Sequence, residues 1–504
     1  MAKTAALKPV ARGIAYWMER VVAEREKASG SLNSDAVHDL RVALRRCRSM
    51  AEGFQSLNGN SGWDKVRNAG KVVFRALGDL RDAQVQLEWI DRLRSECPAV
   101  AERLAIYCQG REAELKLRAA EVMDQFDTQR WLQWAQGLDE LVQRAGIPKD
   151  AFQVLALERY EGARQFHRRA LRNRSKTALH ELRIGIKRLR YIVENFLPEQ
   201  DQAWGKDLRN IQDLLGEVHD LDVLWGTACQ IGSFASSQER QQWNAAISRE
   251  RMQRVQAYRE KMLGRNSLWQ EWRNQLPAGE RLRSAVLQRF ECWATSLDPD
   301  PAHTQLVTQF SLQIYDALQG NALVPARGAG EVSPRDLLHV AVLTHGVGHS
   351  GHKAEHKLSG RLLRRLELPP GWSATDMTMA ALVARYHRGN SPTSQQRYIS
   401  LSGEEQHSVD CLGGILRFAD SLDSRHAHTI RSITVRSGAG RIDILADGYT
   451  PRSKQAERIA AARHVLENAI GTALLVRQTS EIPEAGNQRP SKASRPSGSN
   501  GLLA

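Results

Sequence analysis

The chain has 504 residues, too many for one compact core and enough for two or three domains with sizeable interiors. Charged residues at 25% and hydrophobic ones at 41% are ordinary for a globular protein, but a net charge of +14 is not, and it points to polyanions or an anionic surface. Six scattered cysteines without a Cys-x-x-Cys pair argue against a disulfide framework or a zinc ribbon, and no run of about 18 apolar residues could cross a bilayer. With no apolar secretion-signal core at the start, a reducing, cytoplasmic setting is expected.

Residues 1 to about 290 are rich in Leu, Ala, Arg, Glu and Gln, with apolar positions recurring every three or four residues, which predicts helices throughout. One segment, "VHDLRVALRRCR" (37–48), places His38, Arg41, Arg45 and Arg48 within roughly 80° of one another on a helical wheel. Leu40, Leu44 and Cys47 take the adjoining apolar arc. Asp39 points elsewhere, so the basic strip has no acid of its own and borders a buried face.

The pattern occurs twice. "LHELRIGIKRLRYIVENF" (179–196) overlays "VHDLRVALRRCRSMAEGF", so that His180, Arg183, Lys187, Arg188 and Arg190 fall on His38, Arg41, Arg45, Arg46 and Arg48. "LGDLRDAQV" (77–85) and "LGEVHDLDV" (215–223) follow each copy after a similar interval, implying two units of about 140 residues and a duplicated helical bundle. Within these segments, Asp82 and Asp220 read as structural ion pairs or helix caps. Solvated helix faces usually mix charge signs because like charges one turn apart repel. A strip of one sign, repeated at identical offsets, instead suggests anion binding, with arginine forks suited to phosphate oxygens. The strips lack the interleaved aromatics that stack bases, which favours a phosphate polymer without bases and disfavours nucleic acid.

Between about 293 and 335 the segments "SLDPDPAH" and "NALVPARGAGEVSP" predict a domain boundary. The second half is again mainly helical, except that "RSITVRSGAGRIDILAD" (431–447) alternates apolar and polar residues about a glycine turn and predicts one hairpin. Beyond about 479 a Pro/Ser/Gly-rich tail is expected to be disordered. "LLHVAVLTHGVGHSGHKAEHK" (337–357) clusters histidines at three- and four-residue spacing, a pattern that can bind a transition metal when a carboxylate completes it.

Through its two basic segments and the two that follow them, the first half (about 5–290) resembles the conserved histidine α-helical domain (CHAD) proteins. That resemblance implies two four-helix halves (about 5–145 and 150–290) and binding of inorganic polyphosphate in a basic channel. His38, Arg41, Arg45, Arg46, Arg48, His180, Arg183, Lys187, Arg188 and Arg190 would line it, with Lys71, Arg75 and Lys206 as additions.

Residues 295–478 resemble, through "HGVGHSGH", "LVARYHRG" and "ILRFADSLD", the C-terminal HD-like domain of the exopolyphosphatase and pppGpp phosphatase family. By that likeness His303, His345 and Asp420 are candidate metal ligands, but Gly346 replaces the Asp of the His-Asp pair. His349, His352 or His387 could substitute. The expectation is therefore a mainly α protein, a duplicated CHAD bundle followed by a helical HD-like domain with one hairpin. It would bind polyphosphate, in the cytoplasm and at polyphosphate granules, with no catalytic residues, no required cofactor and no membrane partner. A divalent metal in the HD-like domain, a homodimer and an HD-type phosphohydrolase activity are the alternatives it leaves open.

Overall fold

The computed structural model describes residues 13–58, 62–173, 175–325, 332–347, 355–389, 391–438 and 440–479. The His349 and His352 alternatives and the tail from 480 onward lie outside them. Among the described residues there are 18 α-helices and one three-stranded sheet. None of these helices is long and apolar enough to cross a membrane. All six cysteines are free thiols.

The chain forms two compact units. The first holds α1 (Ile14–Gly30), α2 (Ser34–Leu57), α3 (Gly62–Leu93), α4 (Pro98–Asp124) and α5 (Thr128–Ala145), then α6 (Lys149–Asn173), α7 (Lys176–Phe196), α8 (Pro198–Gln230), α9 (Ser237–Met262), α10 (Leu268–Asn274) and α11 (Gly279–Thr295). Consecutive helices pack against each other within α1–α4 and again within α6–α9, and the two sets meet through equivalent members, α2 on α7 and α3 on α8. Phe54 and Phe196, which end the two copies of the repeated segment, touch edge to face at 5.1 Å. The apolar core around them includes Leu40, Leu44, Leu182, Ile186, Trp63 and Trp204. A separate cluster with Trp89, Leu104, Leu221 and Trp243 closes the far ends of α3, α4, α8 and α9.

Continuing along the chain come α12 (Pro301–Gly320), α13 (Pro334–His345), α14 (Glu355–Leu363), α15 (Ala374–Tyr386), α16 (Gln396–Ile399) and α17 (Gly403–Leu422), then β1 (Ser432–Gly438), β2 (Arg441–Asp447), α18 (Lys454–Ile470) and β3 (Ala473–Gln478). The second unit gathers Asp300–His345, His356–Arg361 and the described residues from Thr378 on. Strands β1 and β2 form the expected antiparallel hairpin, Val435 opposite Ile444. The sheet gains a strand that alternation alone does not announce: β3 returns after α18 and lies parallel to β2, pairing Ile444 with Val476. Parallel neighbours need such a crossover, so the pairing has no local signature.

In the second repeat α7 lies so close to α6 that a Cβ on Gly185 would come within 3.0 Å of the Ala163 Cα and 2.9 Å of the Phe166 ring. The equivalent position in the first copy is Ala43. Gly185→Ala should therefore cost about 1–3 kcal/mol through overpacking, despite the better helix propensity of alanine. A lowered denaturant midpoint with unchanged helical circular dichroism is the expected readout.

Candidate functional site

The two basic strips start from matching caps. The Asn33 side chain accepts the Ala36 N–H at 2.8 Å and the Ser175 hydroxyl oxygen accepts the Ala178 N–H at 3.1 Å, at equivalent positions of the two copies. Satisfying the same orphan donor in each helix gives α2 and α7 the same phase relative to their histidines. Leu40, Leu44 and Cys47 are buried beneath one strip, and Leu182, Ile186 and Leu189 beneath the other. Arg41, Arg45, Arg48, Arg183 and Lys187 are half-buried at the edge, with His38 and His180 exposed.

The second repeated motif explains itself at the next helix. A Cβ on Gly78 of α3 would lie 2.9 Å from Arg41 Nη1, and one on Gly216 of α8 would lie 3.9 Å from Arg183 Nε. Gly78 leaves room for the Arg41 guanidinium beside the helix backbone, where Nη1 donates to the Phe74 carbonyl at 3.1 Å, whereas a side chain at 216 would meet Arg183 only at ordinary contact distance. Three residues on from these glycines, Arg81 and His219 stand near the strip histidines: the His180 and His219 rings are 4.9 Å apart. Partial burial, with Arg81 and Arg45 nearby, holds the His38 imidazole below its ordinary pKa.

Aromatic faces seat the cations. Arg41 and Arg48 lie 4.8 Å and 4.7 Å from the Phe74 ring centre. Arg45, Lys187 and Arg190 lie 5.6 Å, 5.8 Å and 5.7 Å from that of Tyr191. Cation–π attraction contributes about 0.5–1 kcal/mol at exposed sites and more where water is excluded. It does not cancel the mutual repulsion. Burial, followed by Arg183 on its own helix and Arg45, Arg41 and Arg48 across the interface, lowers the Lys187 ammonium from 10.5 to about 7. The Nε atoms of Arg48 and Arg183 are buried without a hydrogen-bond partner among the described residues. Asp82 and Asp220 lie in mid-helix on α3 and α8, so neither is a cap. Burial and the neighbouring Asp82 raise Asp220 to about 6 against the pull of Arg183.

The remaining basic candidates are placed differently, though Arg75 lies close enough to Arg48 to help lower its pKa. Arg46 and Arg190 are committed internally to Glu194, at 3.2 Å and 2.9 Å, and Arg46 also donates to Asn195 at 2.8 Å. Arg188 is exposed and lines a small cavity with Arg159, Ser49, Ser56 and Tyr191, the ring that also seats Arg45 and Lys187. Lys71, Arg75 and Lys206 are exposed on α3 and α8.

In the second unit, His303, His345 and Asp420 are brought together from α12, α13 and α17. All three are buried, with one ligand atom of each within 4.8 Å of the others. Backbone carbonyls decide the tautomers: His345 Nδ1 donates to Val342 O and His387 Nδ1 to Ala384 O, both at 2.6 Å. Each Nε2 is therefore the lone-pair nitrogen, as in metal-binding histidines whose other ring N–H is held by a backbone carbonyl. Burial lowers both imidazoles, His387 to about 3. His303 differs, with Asp423 at 2.9 Å from Nδ1 and Asp420 at 3.3 Å from Nε2. Although burial opposes it, these two carboxylates raise the His303 pKa. Arg388 bonds both Asp420 oxygens at 3.1 Å and 3.0 Å. His303 and the guanidinium of Arg388 thus partner Asp420 and Asp423, and His428 Nδ1 also comes within 3.0 Å of Asp423. His426, in the left-handed region at φ 54°, stacks on His303 at 4.0 Å and bonds Asp300 at 2.7 Å.

Comparison with known families separates the two regions. Residues 6–228 match the CHAD domain, and residues 290–445 match domain III of the Ppx/GppA phosphatases. The chain joins a CHAD domain to a Ppx/GppA domain III-like region. The crystal structure of the CHAD domain from the plant Ricinus communis is similar, with 20% identity and a TM-score of 0.38 over 54% of this chain and 96% of that one. No curated protein matches the sequence.

The CHAD strips thus bring together His38, Arg41, Arg45, Arg48, His180, Arg183 and Lys187. Reading the strips alone misses Phe74 and Tyr191, whose signal is an aromatic on the neighbouring helix or one turn further along the same one. In the Ppx/GppA-like region it misses Arg388 and Asp423, the latter one turn beyond Asp420. The Lys187 shift carries a linkage consequence. Its pKa is about 7 folded and near 10.5 unfolded, so between these values the unfolded chain binds more protons and stability rises with pH. Without a polyanion, Lys187→Met should raise the denaturant midpoint at pH 6 and flatten its rise between pH 7 and 10. An unchanged midpoint at both pH values would mean that the amine is not crowded.

Proposed function

We propose that the CHAD groove binds inorganic polyphosphate along the α2–α7 interface. The observation that carries this reading is the gathering of Arg41, Arg45, Arg48, Arg183 and Lys187 on one face, with the Nε atoms of Arg48 and Arg183 buried and lacking a hydrogen-bond partner among the described residues; burial first, and these cations second, lower the Lys187 ammonium to about 7. A chain of phosphates laid across these groups supplies the missing negative charge and recharges the lysine. Each contact also releases counterions, so binding weakens as salt rises. Arginine forks hold the non-bridging oxygens in pairs, while Lys187 acts as a point charge. Nucleic acid is disfavoured because the strips carry no run of interleaved aromatics, and the two rings beside them, Phe74 and Tyr191, already hold cations.

The Ppx/GppA-like region supports a second element of the reading. The convergence of His303 and His345 with Asp420 favours one divalent ion held there. A bound ion of this kind supplies Lewis acidity or rigid cross-linking. Gly346 follows His345 where a second carboxylate would bridge two metals, which weighs against a phosphohydrolase and for a region that extends the grip on polyphosphate or pairs two copies of the chain.

Titrating polyphosphate at several salt concentrations tests the groove. Arg41→Ala combined with Arg183→Ala should weaken binding by at least about tenfold and reduce the slope of log K against log salt by roughly one to two. Single-stranded DNA of equal charge should compete poorly. An affinity and slope equal to those of the unaltered protein would return both arginines to a purely structural role.

A further inference from the structure

His387 is 1% exposed, and its Nε2 has no hydrogen-bond partner among the described residues. An unsatisfied buried polar atom costs about 1–3 kcal/mol and calls for a partner. The bond from Nδ1 to Ala384 O settles which partner that is. Nε2 carries a lone pair and no hydrogen, so it needs either a donor or a metal ion. The ring stands edge-on to His345 at 5.2 Å, and His345 Nε2 lies 3.4 Å from His303 Nε2. The ring therefore packs beside the group that offers two imidazoles and a carboxylate, although its Nε2 lies outside the 4.8 Å span of their ligand atoms and has to close on them when an ion binds.

We infer that His387 is the fourth ligand of a closed, structural metal centre formed with His303, His345 and Asp420, and that Arg388 occupies the Asp420 carboxylate in competition with the metal. The inference rests on the reading that the other three residues hold a divalent ion. It adds how many ligands the ion has and what it is for.

Three imidazole nitrogens and one carboxylate oxygen fill a tetrahedral shell, which leaves no open position for a reacting water. Such a set suits zinc or cobalt and not magnesium or calcium, which take oxygen ligands. The arginine is the movable member of the pair. Its side chain is 39% exposed and can turn outward to water, whereas that of Asp420 is only 8% exposed. Once it leaves, a divalent ion is balanced by Asp420 together with Asp423, which holds His303 from behind at 2.9 Å.

Cobalt(II) added to the metal-free full chain is the test, read by visible absorption, stoichiometry and thermal unfolding. The unaltered protein should take up one equivalent, show the intense visible bands of four-coordinate cobalt and melt at a higher temperature. His387→Ala should lose those bands and bind at least about tenfold more weakly. Arg388→Ala, a change at a part-exposed side chain, should bind roughly tenfold more tightly, because a competing cation is gone. Weak six-coordinate bands in the unaltered protein, a normal spectrum in His387→Ala, or no tightening in Arg388→Ala would overturn the inference and leave the three-residue site standing. No cobalt uptake by the unaltered protein would overturn both.

Discussion

The constraint on which the first unit depends is that like charges are held side by side at the edge of a packed core. Five cations from α2 and α7 share one face, and burial together with the neighbouring charges holds Arg41, Arg48 and Lys187 below their ordinary pKa values. What keeps them together lies underneath: Leu40, Leu44, Leu182 and Ile186 are buried in the same helices, so separating the cations would expose the core. Burying a leucine-sized side chain stabilises by about 1.5–3 kcal/mol, more than the repulsion of an exposed like-charged pair, and several such side chains act at once. The aromatic seats at Phe74 and Tyr191 and the clearance at Gly78 then choose where the charges lie.

The second unit handles charge in the opposite way. Asp420 and Asp423 are deeply buried, and unpaired carboxylates there would be costly. His303 lies between them and Arg388 caps one of them, so neither carboxylate is left without a partner. The same pairing can be met by a different cation. This makes the histidines around it informative, because a purely apolar packing role would not require each Nδ1–H to be tied to a carbonyl.

Much of the architecture is legible in the linear chain because duplication writes the same hydrophobic period twice. The overlay of 37–54 on 179–196 identifies the strips and their buried faces, whereas the caps at Asn33 and Ser175, at the same offset but outside the overlaid segments, emerge only in the structure. Contacts between helices distant in sequence are not legible. Arg46 and Arg190 look like channel residues by position, yet Glu194 claims both. Arg46 lies off the main strip on the wheel, which hints at a different partner without naming it. Strand β3 is a short apolar run whose parallel pairing depends on α18, and His387 gains its meaning only when α15 is folded beside α13.

The edge-to-face meeting of Phe54 with Phe196 puts counterpart residues from the two halves of the CHAD unit in contact at its centre. The two halves are alike without being identical, since Phe74 seats Arg41 and Arg48 while Tyr191, at no matching position, seats Arg45 and Lys187. Were the guest a linear polymer of identical links, as proposed above, it would have no head or tail for that difference to read.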